Sequence, residues 1–63
     1  MRYGVVISFN TEKKIGVVKD NTTNITYGFK KVDCPHDVEI LDEVAFEVFT
    51  EKSKMSAINV KLS

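Results

Sequence analysis

The sequence predicts an all-β fold, a single small barrel of five strands, on three observations. The apolar residues alternate with a period of two rather than 3.6. Runs rich in Val, Ile, Thr, Phe and Tyr recur, separated by short polar segments. The chain is 63 residues long, one domain spanning 1–63. At that size folding buries only about 60% of the surface the unfolded chain exposes.

Strands are expected near 2–9, 13–19, 25–30, 43–50 and 55–62. The breaks fall at Asn10-Thr11-Glu12, at Asp20-Asn21-Thr22-Thr23-Asn24 and at Glu51-Lys52-Ser53-Lys54. Asn and Asp suit such turns because their side chains satisfy nearby backbone groups and tolerate left-handed conformations. A longer connection, 31–42, holds the only proline, Pro35. In the first strand Gly4, Val6 and Ser8 share one face, and Val5, Ile7 and Phe9 the other. In the second, Gly16 and Val18 lie opposite Ile15 and Val17. The fourth strand places Val44, Phe46 and Val48 inward, and the fifth Ile58, Val60 and Leu62. A barrel has one inner face, so with both faces of the first two strands partly apolar, some apolar side chains must face water. Val5, Ile7, Phe9, Ile15 and Val17 are the set expected there.

Net charge is zero, but it is unevenly spread. Residues 1–32 hold six basic side chains against two acidic, giving +4, and residues 33–63 three against seven, giving −4. Such asymmetry builds a local positive surface on a neutral protein. The single cysteine, Cys34, cannot form an internal disulfide. No apolar run approaches the roughly 20 residues of a membrane span, and the N-terminus lacks a signal-peptide pattern. A cytoplasmic chain with no membrane partner is expected.

Several segments resemble the cold-shock domain family. Gly4-Val5-Val6-Ile7-Ser8-Phe9-Asn10 is similar to that family's first strand, Gly-x-Val-x-Trp-Phe-Asn. Lys13-Lys14-Ile15-Gly16-Val17-Val18 resembles its first RNA-binding motif, Lys-Gly-Phe-Gly-Phe-Ile. Ile25-Thr26-Tyr27-Gly28-Phe29 resembles the second, Val-Phe-Val-His-Phe. Val44-Ala45-Phe46-Glu47-Val48 and Ala57-Ile58-Asn59-Val60 resemble the closing strands. The resemblance covers nearly the whole chain in order. It implies an antiparallel OB-fold barrel that holds single-stranded RNA or DNA against an exposed aromatic surface, since every base offers a π-face for stacking, worth about 1–3 kcal/mol each. Lysines around the platform follow the phosphates.

The departures concentrate on that platform. The family's tryptophan is Ser8, its two phenylalanines in the first motif are Ile15 and Val17, and in the second motif Thr26 and Gly28 replace phenylalanine and histidine. Phe9, Phe29, Asn10 and Lys13 remain. Residues expected to face the core or shape turns stay suitable: Gly4, Val6, Gly16, Val18, Ile25, Val32, Val38 and Val44. Five missing stacking positions remove several kcal/mol, or several orders of magnitude in affinity.

Two functions fit this pattern. One is weak, sequence-tolerant binding of single-stranded RNA or DNA: Phe9 and Phe29 stack on bases beside Ile15 and Val17, Asn10 hydrogen-bonds a base, and Lys13, Lys14, Lys19 and Lys30 contact phosphates. The alternative is a protein contact, with a partner or a second copy, through the aliphatic patch of Val5, Ile7, Phe9, Ile15 and Val17. Tyr3 and Tyr27 read as structural, Tyr27 replacing a family core aliphatic. Cys34 and His36 are two zinc-ligand types without a second pair, so no metal and no cofactor are expected. Glu39, Asp42 and Glu43 read as a solvated turn rather than an acid–base pair. No enzymatic activity is expected.

Overall fold

The computed structural model describes residues 1–34 and 37–63; Pro35 and His36, the proline and histidine of the metal reading, lie outside the described residues. Among the described residues five strands form: β1 Arg2–Asn10, β2 Ile15–Asp20, β3 Thr26–Lys30, β4 Glu43–Glu51 and β5 Lys54–Leu62, with a short 3-10 turn at Lys31–Asp33. They close into a barrel in the order β1-β2-β3-β5-β4, an OB-fold-like barrel. The expected antiparallel barrel needs one correction. β3 and β5 run parallel, meeting at Gly28 and Ser56, because closure brings together two strands whose connecting chain passes through β4. The sheet is therefore mixed.

Each turn is held by a nearby side chain or by backbone geometry. Asn10 Oδ1 accepts the Lys13 N–H at 3.0 Å and so closes the β1–β2 turn. Asp20 Oδ1 accepts the N–H groups of Thr22 at 2.7 Å and Thr23 at 3.2 Å. The same buried carboxylate takes Arg2 Nη1 on Oδ2 at 3.0 Å. Lys52 and Ser53 both have positive φ, 48° and 69°, as a two-residue hairpin turn matched to the sheet twist requires.

The interior holds Val6, Val18, Tyr27, Phe29, Cys34, Val44, Phe46, Ala57 and Val60, with Phe9, Val38 and Val48 packed against it. Tyr27 lies tilted on Phe46, ring centroids 5.8 Å apart, which agrees with its structural reading. Strict alternation fails at two bulges. In β1, Val6 pairs with Val18 and Ser8 with Val17, so Ile7 is the extra residue. An inserted residue shifts the phase of every later position in the strand, and Phe9 turns inward with Val6 instead of outward with Val5. In β5, Asn59 adopts φ 51° and its Nδ2 donates to Glu47 Oε2 at 2.6 Å. There the inward residues are Ala57 and Val60. Ile58 becomes half-buried on the outer side and Leu62 exposed, correcting the expected inward set of Ile58, Val60 and Leu62. Ile25 and Val32, expected in the core, are exposed too, Val32 at 83%: each sits beyond a strand end, where the pleat no longer dictates direction. Ala45 is buried although it alternates with Val44 and Phe46, lying between Tyr3 and Lys61 of the neighbouring strands.

Candidate nucleic-acid interface

The β1–β2 turn delivers Lys13 and Lys14, and the end of β3 delivers Lys30 and Lys31. Register brings the two together: Ile15 pairs with Lys30, and the Lys31 N–H donates to the Lys14 carbonyl at 2.9 Å. The result is an open cup lined by Lys13, Lys14, Lys30 and Lys31 with the exposed side chains of Ile15 and Val32 among them, and with no acidic residue in its lining. Lys14 enters β2 from φ 57°, a left-handed step that carries the chain from turn to strand. Lys31 Nζ forms an ion pair with Asp37 Oδ1 at 3.4 Å. Lys19 lies apart. It shares the outer face of β2 with Ile15 and Val17, but four residues from Ile15 is about 13 Å along a strand.

Beside the cup runs an apolar groove across β2, β3, β5 and β4, floored by Ile15, Val17, Gly28, Phe49, Met55 and Ile58. Gly28 leaves room in it: a Cβ there would meet nothing nearer than the Gly16 carbonyl oxygen at 3.9 Å. Lys30 and Lys54 stand on its rim with Asp33 and Glu51.

The expected site residues divide accordingly. Lys13, Lys14, Ile15 and Lys30 come together in the cup, and Val17 lies in the adjoining groove. Phe29 does not reach the surface. It is 3% exposed and stacks on Phe9 with centroids 6.2 Å apart and ring planes at 26°. Gly16 makes room for this pair, since a Cβ there would lie 2.5 Å from Phe29 and 2.8 Å from Phe9. The stacking role expected of Phe29 is therefore corrected. Its ring is spent on the core, and Phe9, half-buried by the β1 bulge, is partly spent on the same stack. Asn10 offers its amide nitrogen to a ligand while its oxygen also holds the turn.

The aliphatic patch is corrected in the same way. Val5 and Val17 are half-buried and Ile7 and Ile15 exposed, so four of its five members face outward and Phe9 leaves. Phe49, Met55 and Ile58 join from β4 and β5. Phe49 was legible as an outward position of β4, opposite in phase to Phe46 and Val48; Ile58 was hidden by the β5 bulge. Glu39 and Glu43 are exposed as expected of a solvated turn, and the Asp42 carboxylate accepts the Glu39 N–H at 2.8 Å. Among the described residues no cluster of three metal-ligand side chains exists, and no helix is long and apolar enough to cross a membrane. No known protein-family model matches this chain, and no curated protein sequence matches it.

Proposed function

We propose that this chain is a cold-shock-like binding module, not an enzyme, that holds single-stranded RNA or DNA weakly and with little sequence preference. The observation that carries this reading is the lysine cup. Four cations converge from two elements on one end of the barrel, beside an apolar groove that crosses β2, β3, β5 and β4. Lys13, Lys14, Lys30 and Lys31 contact successive phosphates, and Ile15 and Val17 give the bases an apolar but non-aromatic floor. Affinity then comes mainly from counterion release, with little stacking to supplement it.

The test is a titration with labelled oligo-dT and oligo-U across a salt series. Three to four phosphate contacts on a single strand predict a loss of about 20- to 50-fold between 50 and 200 mM salt. Absence of binding at about 50 mM salt overturns the reading. A protein contact on the same face is the second reading, favoured by one observation, the exposure of Phe49 and Met55 beside Ile15. A loss of protein association on Ile15→Lys, with folding intact, supports that reading instead.

A further inference from the structure

The loop before β4 contains a feature that neither folding nor the lysine cup explains. Residues Glu39, Ile40, Leu41 and Asp42 form a tight turn, closed by the Asp42 N–H donating to the Glu39 carbonyl at 3.1 Å. Leu41 holds its third position at φ 77°, where a turn of this kind calls for glycine or asparagine. The turn is also firmly seated. The Leu41 N–H donates to the Val6 carbonyl at 2.7 Å, and the Val6 N–H to the Asp42 carbonyl at 3.0 Å. The backbone thus fixes two aliphatic side chains in water, Ile40 at 59% and Leu41 at 75% exposure. Strain of this kind at an exposed position is a pointer to function.

The charges that the loop itself carries around this knob in sequence are all of one sign. Asp37, Glu39, Asp42 and Glu43 flank Ile40 and Leu41, and residues 37–43 contain no basic side chain. The cup is its opposite in charge, four lysines around exposed aliphatic side chains. Acidic loop and lysine cup already meet within the molecule, at Lys31 and Asp37. The hollow of Phe9 and Val38 borders the cup at Lys14 and Lys31 and the acidic loop at Asp37, so cup and acidic loop share a common centre. Two copies related by a two-fold axis through that centre would each receive the other's knob, the reciprocal arrangement a closed dimer requires.

We propose that the chain self-associates through this contact, Ile40 and Leu41 of one copy seated on Ile15 and Val32 of the other, with Glu39 and its acidic neighbours against Lys13, Lys14 and Lys30. The inference is independent of the nucleic-acid reading but uses the same lysines, so a bound strand and a second copy exclude each other. Self-association would then cover the cup whenever no oligonucleotide occupies it.

Sedimentation velocity on protein freed of nucleic acid, over a concentration range up to about 200 µM and at about 50 and 500 mM salt, tests this. The expected result is a monomer–dimer equilibrium that weakens with salt. Leu41→Gly should weaken it by about tenfold or more while raising the melting temperature, a combination that misfolding cannot produce. Glu39→Lys and Lys30→Glu should each weaken the homodimer, and mixing the two should restore association as a heterodimer, because residue 39 of each copy then meets a residue 30 of opposite sign. A wild-type chain that stays monomeric at low salt overturns the proposal, even where it binds oligo-dT through the cup. So does a dimer indifferent to Leu41→Gly and to the charge exchange.

Discussion

Leu41 and Asp20 act on the stability of the fold in opposite directions. A non-glycine residue in the left-handed region costs about 1–2 kcal/mol, and the exposed Leu41 side chain recovers little of this by burial. Leu41→Gly is therefore expected to stabilise the fold by about 1 kcal/mol, raising Tm by about 4–8 °C in a domain this small; a thermal melt reads it directly. Asp20 works in the other direction. The Thr22 N–H, then the Thr23 N–H and Arg2, hold its carboxyl below the ordinary 3.8 against the opposing effect of burial. An acid whose folded pKa is depressed takes up its proton first in the unfolded chain. Its contribution is therefore complete above the unfolded value and lost as pH falls through the folded one. Urea midpoints should stay level above about pH 5 and drop below about pH 4. Asp20→Asn should lower the neutral plateau and flatten the acid limb; an unchanged acid limb would refute this role.

At the scale of the strand, glycine placement and bulges decide what the barrel presents. A Cβ on Gly4 would lie 2.3 Å from the Lys19 carbonyl oxygen, a backbone atom of the paired strand that cannot yield without opening β1 from β2. One on Gly16 would strike the Phe9 and Phe29 rings. Gly4→Ala and Gly16→Ala should each destabilise by about 1–3 kcal/mol, as overpacked sites do. Gly28→Ala meets open space at an ordinary negative φ and should stabilise by about 0.4–1 kcal/mol through the unfolded chain. Chemical denaturation of the three variants ranks them. The same openness allows a gain of function. A phenylalanine at Val17 or Gly28 would stand on the groove floor beside the cup and offer the π-face that the floor's aliphatic residues lack. Each ring is expected to tighten oligo-dT binding by about 1–3 kcal/mol, measured by fluorescence titration. No gain from either would mean that bases do not lie along this groove.

For the molecule as a whole, the relevant quantity is the separation of charge, not its sum. β1, β3 and β5 carry only basic charges, β4 carries three glutamates, and the segment before it holds Asp33, Asp37, Glu39 and Asp42, so a neutral chain carries a basic face at the cup and an acidic one at the loop before β4. Long-range attraction between such faces is screened within a Debye length, about 8 Å at physiological salt. Any partner drawn to the cup, nucleic acid or second copy, is therefore held in a salt-dependent way. Lys13→Gln, Lys14→Gln and Lys30→Gln should each reduce the slope of log affinity against log salt by about 0.7 for a single strand. Lys19→Gln, at the far end of β2, should change it less. Equal effects at all four positions would show that a diffuse field binds the strand, and not the cup.

Much of this architecture was legible in the residues themselves. Alternation with a period of two, β-branched runs and Asn/Asp breaks define five strands, and the observed elements lie within two residues of those expected. The lysine cup was half visible: Lys13, Lys14 and Lys30 were identified as candidates, but not that Val32 would leave the core to join Ile15 among them. The two bulges were not legible, because one inserted residue reverses every later side chain in a strand while leaving its composition unchanged. Tertiary pairing alone turned Phe9 and Phe29 inward, moved Ile58 out, and set β3 parallel to β5. Local sequence thus determines where the chain is extended and where it turns. Which face of each strand meets water is settled only when neighbouring strands fix the register, since that choice depends on contacts between residues far apart in the chain.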